Sequence, residues 1–313
     1  MIGTHIPVLL EELVACLRLA PGASVLDATV GLGGHAAAVL ARTAPDGRLL
    51  GIERTDEGVR RARLALAGFG GRATVARGDF RDAMALATDA GFGSVDAAYF
   101  DLGLASWQLD EGYQGLSFQV DAPLDMRVTP SVGVSRESTW TRDDAVRAVV
   151  RRYAGQSAAE IVAHASEAEL GTALRELGGV RQWRTVATQI VAARSQGTVR
   201  TTTQLAAATG SDSPSLLAPV FQALRILVND EYGAIEDGLR AAWQLLRPGG
   251  TLAVISFHSG EHRIVKQLFR ELPGATKPTR VFPSEQELAT NPRARSATLR
   301  FIHKQPSEPS REE

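Results

Sequence analysis

The first hundred residues alternate short apolar runs with helical patterns, and this alternation leaves few folds open to the chain. The apolar runs each end near a polar residue, and they are Ser24–Ala28, Arg48–Glu53, Ala73–Arg77 and Val95–Asp101. Between them lie alanine-, leucine- and arginine-rich stretches of helical character, Gly34–Thr43 and Asp56–Gly68. Strands that alternate with helices predict a parallel, doubly wound α/β sheet of the Rossmann-like kind.

The pattern changes after the fourth run. Residues 129–209 have a helical pattern with no convincing strand, and Pro219–Leu246 predicts one long amphipathic helix. Arg247–Gly250 (RPGG) ends that helix, and Thr251–Phe257 (TLAVISF) resumes the sheet. A helical insertion therefore interrupts the sheet domain. The predicted boundaries are 1–128 with 214–304 for the sheet domain, 129–213 for the insertion and 305–313 for a disordered tail.

Composition excludes several classes of protein. With 44% hydrophobic and 22% charged residues, the 313-residue chain is expected to be globular with a sizeable core. Its one cysteine, Cys16, excludes an internal disulfide framework and a multi-cysteine metal site. No apolar run is long enough for a membrane span, and the N-terminal segment lacks the basic region of a signal peptide. We therefore expect a cytoplasmic protein.

The net charge of −1 conceals two basic stretches. Between Arg142 and Arg200 there are nine arginines against six acidic residues, and between Arg263 and Arg300 eight basic residues against three acidic ones. Only three lysines occur in the chain, so nearly all of the positive charge is guanidinium, which pairs with phosphate in bidentate geometry. Two interpretations stay open: a local RNA-binding surface, and a coding bias that favours arginine.

Candidate ligand-binding residues follow the predicted strands at their carboxyl ends, where open α/β sheets bind ligands. The first strand leads into a glycine-rich turn, Asp27–His35 (DATVGLGGH), in which Gly31, Gly33 and Gly34 allow close backbone approach. Glu53 ends the second strand, where an acid can accept hydrogen bonds from both ribose hydroxyls of an adenosine cofactor. A dinucleotide, adenosylmethionine and a ligand-free helix cap all fit this set of residues.

Two later segments favour adenosylmethionine. Gly78–Phe80 (GDF) places an acid and an aromatic ring after the third strand, where they can flank an adenine. Asp79 could instead cap the next helix, and Phe80 could belong to the core. Asp101–Asp110 (DLGLASWQLD) follows the fourth strand. An oxidoreductase is disfavoured because the chain has no Tyr-x-x-x-Lys pair or equivalent hydride-transfer group.

Nine sequence segments are spread along nearly the whole chain, and they include long and unusual strings such as PLDMR and FQALRI. They are HIPVLLEE (His5–Glu12), VGLGGH (Val30–His35), GIER (Gly51–Arg54), GDF, DLGLASWQLD, GLSFQVDAPLDMR (Gly115–Arg127), FQALRILVNDE (Phe221–Glu231), RPGGTLAVISFHSGEHRIVK (Arg247–Lys266) and NPRARSATLR (Asn291–Arg300). These segments resemble the bacterial 16S rRNA (cytosine-N4) methyltransferase family. The resemblance implies a class I methyltransferase sheet with a helical, substrate-recognising domain inserted after the fourth strand.

The resemblance also implies roles for residues that match the motifs. Gly33, Gly34 and His35 would lie against the methionine part of the cofactor, S-adenosylmethionine. Glu53 would hold the ribose, although the family usually has aspartate there. Phe80 would stack near the adenine.

Asp101 and Gln108 would complete the cofactor pocket. The implied reaction methylates the exocyclic N4 of a cytidine in 16S rRNA, in the decoding region of the small subunit. Asp101 or a nearby backbone carbonyl is the candidate acceptor for the amine protons, helped by Ser106 or Gln108. Trp107 either stacks on the extruded base or packs in the core. His258 is a further catalytic candidate, expected to face the cleft.

The segment Phe257–His262 (FHSGEH) raises the question of a metal. His258, Glu261 and His262 have the spacing H-x-x-E-H, but no distant third ligand accompanies them, so no metal site is expected. The family usually has Leu-Glu-Asp at residues 260–262, which makes His262 a local departure.

Other departures lie in the part of the chain expected to face RNA. Ser213–Val220 lacks the threonine and arginine that usually precede FQALRI, and Trp183–Ile190 stands where the family has a basic helix. Pro130–Ala154 is an extra segment with five arginines. Three functions stay open: an rRNA cytidine methyltransferase that acts on the small subunit, a related methyltransferase with another RNA or protein target, and a non-catalytic RNA-binding assembly factor. A homodimer is one candidate assembly.

Overall fold

The structure is a computed structural model that describes residues 6–105, 107–108, 112–129, 139–141 and 143–306. The chain forms two compact units. The first comprises Met1–Gly103 and Ile235–Glu313 and contains the sheet; the second comprises Leu104–Ala234 and is helical. Within the described ranges, no helix has the length and apolar character needed to cross a membrane.

Seven strands of the described chain form one sheet in the order β3-β2-β1-β4-β5-β7-β6. They are β1 Ser24–Asp27, β2 Arg48–Glu53, β3 Ala73–Arg77, β4 Val95–Asp101, β5 Leu246–Ser256, β6 Thr279–Val281 and β7 Thr298–His303. β1 to β5 are parallel, whereas β7 is antiparallel to both β5 and β6. Leu26, Leu50 and Val254 are fully buried, because helices cover both faces of a doubly wound sheet.

The α-helices of the described residues fall into an early group, a middle group and a late group. In chain order they are α1 Leu10–Cys16, α2 Gly34–Arg42, α3 Asp56–Ala65, α4 Ala83–Asp89, α5 Asp144–Tyr153, α6 Ala158–His164, α7 Glu167–Glu176, α8 Trp183–Gln196, α9 Thr202–Ala208, α10 Pro214–Asn229, α11 Glu231–Leu245, α12 Ser259–Glu271 and α13 Glu285–Thr290. Helix α3 packs against β2 and β3, and α12 packs against β5 and β7.

The predicted doubly wound α/β sheet is confirmed. The four early apolar runs form β1 to β4, and Thr251–Phe257 overlaps β5. The two helical stretches between the runs form α2 and α3. Residues 143–209 contain helices and no strand in their described part, as predicted. Strand β7 was missed because Arg300 interrupts its apolar pattern, and β6 was missed because it has only three, largely exposed, residues.

The single helix predicted over Pro219–Leu246 is wrong, since the structure has two helices, α10 and α11, separated at Asp230. Asp230 has φ 44° and ψ 48°, a left-handed conformation that ends α10. Its carboxylate lies over the first turn of α11, where a Cβ on Gly233 would approach Oδ2 to 2.6 Å. The apolar face continues across this break, so periodicity gave no sign of it.

The second unit, Leu104–Ala234, includes more residues at both ends than the predicted insertion of residues 129–213. The segment before α5 is tied to the helices by hydrogen bonds, because the Leu124 N–H donates to the Arg200 carbonyl at 2.8 Å. Asn229 at the end of α10 holds the same segment, since its Nδ2 donates to the Met126 carbonyl at 2.8 Å. Such backbone contacts leave no mark in a hydropathy pattern. Recognition of the substrate by this unit stays a prediction.

The predicted disordered tail, residues 305–313, lies mostly outside the described residues, which end at 306. Gln305 is described, and its N–H donates to the Gly274 carbonyl at 2.8 Å. The prediction of disorder is therefore not supported at the first residue of that range.

Candidate active site

The parallel strands end at one edge of the sheet, and the turn after β1 opens the candidate site there. Gly33 has φ +80° and caps α2 from the left-handed region, which glycine adopts without strain. A Cβ on Gly34 would lie 2.5 Å from Pro7 Cγ, so close packing requires glycine there as well. No side chain of the described residues caps α2, and its first N–H groups are therefore available to an anionic ligand group.

His35 lies in the first turn of α2 and is buried. Its Nε2 lies 2.9 Å from the Val8 carbonyl oxygen, an acceptor that places the ring proton on Nε2. Nδ1 then faces Asp101 Oδ2 across 3.6 Å, which is longer than a hydrogen bond. Burial lowers the pKa of His35, so the ring is neutral at pH 7.

Asp101 ends β4, and its N–H donates to Thr29 Oγ1 at 2.6 Å. Burial, together with the nearby Glu261 carboxylate, raises the pKa of Asp101 to about 7. Its Oδ1 is buried and has no hydrogen-bond partner among the described residues. An unsatisfied buried acceptor costs about 1–3 kcal/mol, so Oδ1 is poised to accept a hydrogen bond from a ligand.

A second carboxyl is buried close to Asp101. Tyr99 Oη donates to Asp27 Oδ2 at 2.6 Å, and the Thr29 N–H donates to Asp27 Oδ1 at 3.1 Å. Burial raises the pKa of Asp27 to about 6 and holds the pKa of Tyr99 well above its usual range. Sequence reasoning missed Tyr99, Thr29 and Glu261. Strand pairing brings Tyr99 to Asp27 and Thr29 to Asp101, and the start of α12 brings Glu261 near Asp101.

Glu53 is half-buried at the end of β2. Its Oε1 accepts hydrogen bonds from the N–H and the hydroxyl of Thr55, both at 2.9 Å. The carboxylate lies over the first turn of α3, where a Cβ on Gly58 would come within 2.4 Å of Glu53 Cδ. Burial raises the pKa of Glu53. Thr55 and Gly58 thus hold the carboxylate of Glu53, the predicted ribose-binding residue, in place.

Phe80 follows β3 and is half-buried. Its ring packs edge-on against Phe100 with centroids 5.5 Å apart, and a Cβ on Gly238 would lie 2.5 Å from it. Asp79 caps the short 3-10 helix Phe80–Asp82, because its side chain accepts a hydrogen bond from the Arg81 N–H at 3.0 Å. Capping was one of the two roles considered for Asp79 from the sequence. Core contacts therefore fix the ring of Phe80, and its stacking near adenine stays a prediction.

His258 caps α12. Its Nδ1 accepts from the Glu261 N–H at 3.5 Å, and its Nε2 lies 3.1 Å from Glu261 Oε1. Glu261 is buried and also accepts from the Phe257 N–H at 2.7 Å. His262 instead lies against Ser256 Oγ at 2.7 Å. In the described part of the chain, no group of His, Cys, Asp or Glu side chains is arranged to hold a metal ion.

Three predicted residues belong to the second unit, and the structure describes two of them. Ser106 lies outside the described residues. Gln108 is buried, and its Oε1 accepts from the Ala105 N–H at 2.9 Å. Trp107 is 7% exposed, in line with its core-packing alternative. The catalytic role of Ser106 and the cofactor role of Gln108 stay predictions.

The donor and acceptor groups of the first unit fit S-adenosylmethionine. The open first turn of α2 suits the carboxylate of its methionine part, and the buried carboxyl of Asp101 suits the positive charge of the cofactor. Glu53, held by Thr55, suits two ribose hydroxyls. The order of the strands, with β7 antiparallel between β5 and β6, is that of class I methyltransferases.

The sequence profile of the MraW methylase family matches residues 3–305, and the chain belongs to this family. It is an S-adenosylmethionine-dependent methyltransferase. The match covers both units, including the described segments that contain the glycine-rich turn and Asp101.

Several relatives share one name, "Ribosomal RNA small subunit methyltransferase H". The protein of this name from Syntrophotalea carbinolica is 41% identical over 96% of this chain and 98% of its own length. That from Symbiobacterium thermophilum is 39% identical over 96% of each chain. That from Desulfotalea psychrophila is 38% identical over 96% of this chain and 98% of its own length.

Proposed function

We propose that the chain transfers a methyl group from S-adenosylmethionine to the exocyclic N4 of a cytidine in 16S ribosomal RNA, in the decoding region of the small subunit. The similarity to proteins named ribosomal RNA small subunit methyltransferase H, over nearly the whole chain, carries this proposal. The substrate would place the reaction in the cytoplasm, as the sequence predicts.

S-adenosylmethionine supplies a methyl group on a sulfonium centre, whose neutral thioether leaves without help from an acid. The protein therefore has to act on the nucleophile. Cytidine N4 is a weak nucleophile because its lone pair is delocalised into the ring. A group that accepts a hydrogen bond from the amine localises that lone pair on N4. In-line positioning of the two reacting atoms can contribute ~7–11 kcal/mol in favourable cases.

Asp101 is the acceptor that this site offers. Its unpartnered Oδ1 is buried, and the hydrogen bond from its N–H to Thr29 Oγ1 fixes the end of β4. As the N–CH₃ bond forms and the S–CH₃ bond breaks, N4 has to lose one proton. A carboxylate can accept that proton and a carboxylic acid cannot, so the ionised form of Asp101 is the competent one. Because the pKa of Asp101 is about 7, the cationic cofactor favours that form when it binds. The target base has to leave its stack to reach this residue.

The test is methyl transfer to a defined RNA. The purified chain is incubated with labelled S-adenosylmethionine and small ribosomal subunits from a methylation-deficient strain, and the modified nucleotide is mapped. The expected product is a single N4-methylated cytidine in the decoding region. Subunits from a strain that already carries the modification serve as the control and should accept no label.

Two other outcomes would replace the proposal. Label on another RNA position or on a ribosomal protein would show a methyltransferase with a shifted target, which the departures at the start of α10 and in α8 motivate. Tight cofactor binding without any transfer would favour a non-catalytic assembly factor.

A further inference from the structure

Helix α12 carries a row of cations on its exposed side. Arg263, Lys266 and Arg270 recur at intervals of three and four residues and are exposed, whereas the apolar face of the helix is buried. At 1.5 Å per residue, the row is about 10 Å long. Helix α12 begins directly after β5, at the edge of the sheet that holds the candidate active site.

Arg300 of β7 adds a buried cation to this row. The residue is 8% exposed, and no carboxylate among the described residues forms an ion pair with it. Its Nη1 lies 3.4 Å from Nδ1 of His262, whose pKa is lowered by burial and by Arg300 itself. A buried charge without a counter-charge destabilises the fold, so an anion from outside the chain would stabilise it.

The pairing of β6 with β7 brings a further cation against Arg300. The register places Arg280 directly opposite Arg300, and like charges directly opposite one another destabilise a strand pair. Burial and the charge of Arg280 both lower the pKa of Arg300. The side of the sheet formed by β6 and β7 therefore carries positive charge that the described chain does not neutralise.

The cations of α12 and Arg300 line the same cavity, which has a volume of about 610 Å³. Among its described lining residues the one acid is Glu271. That carboxylate is engaged by Gln267 Nε2 at 3.0 Å and by Arg240 Nη2 at 3.5 Å. The cavity thus offers open positive charge and little negative charge.

We infer that this basic surface, formed by His262, Arg263, Lys266, Arg270 and Arg300, binds backbone phosphates of the RNA substrate. The inference rests on the proposed function for the identity of its ligand. Guanidinium groups pair with phosphate in bidentate geometry, and a row of about 10 Å suits successive phosphates better than a single free anion. Arg300 is the buried anchor, and the exposed cations hold the RNA in register without reading its sequence.

Two matched double variants test the surface. One is Arg263→Gln with Lys266→Gln; the control is Arg42→Gln with Arg60→Gln, exposed residues on α2 and α3. Binding of methylation-deficient small subunits is measured over a salt series at constant magnesium. Loss of two phosphate contacts should lower the slope of log affinity against log salt by about 1.4–1.8. The control variant should keep the slope of the unmodified chain.

Substitution of His262 tests the buried anchor. In His262→Asp a carboxylate would stand beside Arg300 and neutralise it, so RNA affinity should fall at least tenfold while the melting temperature rises. His262→Asn has nearly the same size as the aspartate without its charge, and it should change RNA affinity much less. Equal RNA affinity in these two variants would remove Arg300 from the surface.

The outcomes separate the inference from the proposed function. If the unmodified chain binds and methylates small subunits, and both double variants do so with the same salt slope, the basic surface does not bind RNA. Displacement of the subunits by equimolar pyrophosphate would reveal a small-anion site and overturn the RNA assignment. Failure of the unmodified chain to bind or methylate small subunits would overturn the proposed function instead.

Discussion

The Tyr99 hydroxyl donates a 2.6 Å hydrogen bond to Asp27 Oδ2 within the buried sheet, close to the carboxyl of Asp101. The two carboxyls repel each other when both are ionised, and burial raises the pKa of Asp27 to about 6 and that of Asp101 to about 7. A cationic ligand relieves this repulsion. Cofactor binding and the ionisation of these two carboxyls are therefore coupled.

This pair of carboxyls predicts how stability depends on pH. Both pKa values in the folded chain lie above the ordinary value of 3.8, so the folded state binds the protons more tightly than the unfolded state does. Their stabilising contribution is complete below about pH 4 and is lost as the pH rises through 6 and 7. Urea unfolding of the ligand-free chain should show that Asp101→Asn gains stability relative to the unmodified chain over this window. A constant difference across the window would contradict the raised pKa of Asp101.

Asp101→Asn should also separate chemistry from binding. If Oδ1 accepts an amine proton of the target base, the interaction strengthens in the transition state, and kcat should fall at least a hundredfold. Cofactor affinity, measured by calorimetry, should fall much less. Equal losses in kcat and cofactor affinity would make Asp101 a cofactor ligand only, and near-normal turnover would exclude both roles.

Glu53→Ala should weaken S-adenosylmethionine binding by roughly 1.5–3 kcal/mol, or ten- to a hundredfold, because hydrogen bonds to a charged acceptor are lost. Glu53→Asp should be milder, since it keeps the charge at the end of β2. Calorimetric titration of both variants provides the comparison. An unchanged affinity for Glu53→Ala would remove this residue from the site.

Gly58→Ala tests whether the first turn of α3 orients Glu53. The new methyl group would lie 2.4 Å from Glu53 Cδ, so the carboxylate has to move and cofactor affinity should fall several-fold. Gly71→Ala is the matched control, because a Cβ there has no heavy atom within 4 Å and the backbone of Gly71 is not left-handed. Similar affinities for the two variants would show that Glu53 does not need this position.

The arginines of the extra segment Pro130–Ala154 suggest phosphate contacts, and the structure gives two of them other partners. Arg147 pairs with Asp144, and Arg152 Nη1 lies 2.9 Å from Glu169 Oε1. Arg151 is exposed, whereas Arg136 and Arg142 lie outside the described residues. These ion pairs favour a solvated amphipathic helix over a phosphate-binding surface in this segment.

Changing Arg147, Arg151 and Arg152 together to alanine should therefore leave the salt slope of RNA binding within about one unit of the original. The free energy of unfolding should fall by about 1 kcal/mol, because exposed ion pairs contribute little. Salt titration and urea unfolding measure the two quantities. A slope lower by about three units would restore the phosphate interpretation.

Strands β1 to β5 were predictable because they are buried and end in polar residues, a pattern that the sequence displays directly. The carboxyl edge of the sheet, where Glu53 and Asp101 lie, followed from where the predicted strands end. The support around these residues was not predictable. Tyr99 reads as part of an apolar run and Gly58 as an ordinary helix residue, and both gain their roles only from neighbours brought close by folding.

The direction in which individual side chains point was the other property that could not be predicted from the sequence. The sequence did not show that the ring of His258 caps the first turn of α12, and the catalytic role of His258 stays a prediction. The burial of Arg300 was equally hidden, because it depends on the antiparallel pairing of β7 with β5. Periodicity reports the face of an element and does not report which polar groups find partners.

The position of the second unit between β4 and β5 has a consequence for biosynthesis. Ala97 of β4 pairs with Thr251 of β5, and all of the second unit lies between them in the sequence. Synthesis proceeds from the N-terminus, so β4 emerges well before the strand that covers its edge. An uncovered edge strand is prone to pair with other chains. Early collapse of the helices that follow β4 would shorten the flexible segment to be closed and lower the entropic cost of completing the sheet.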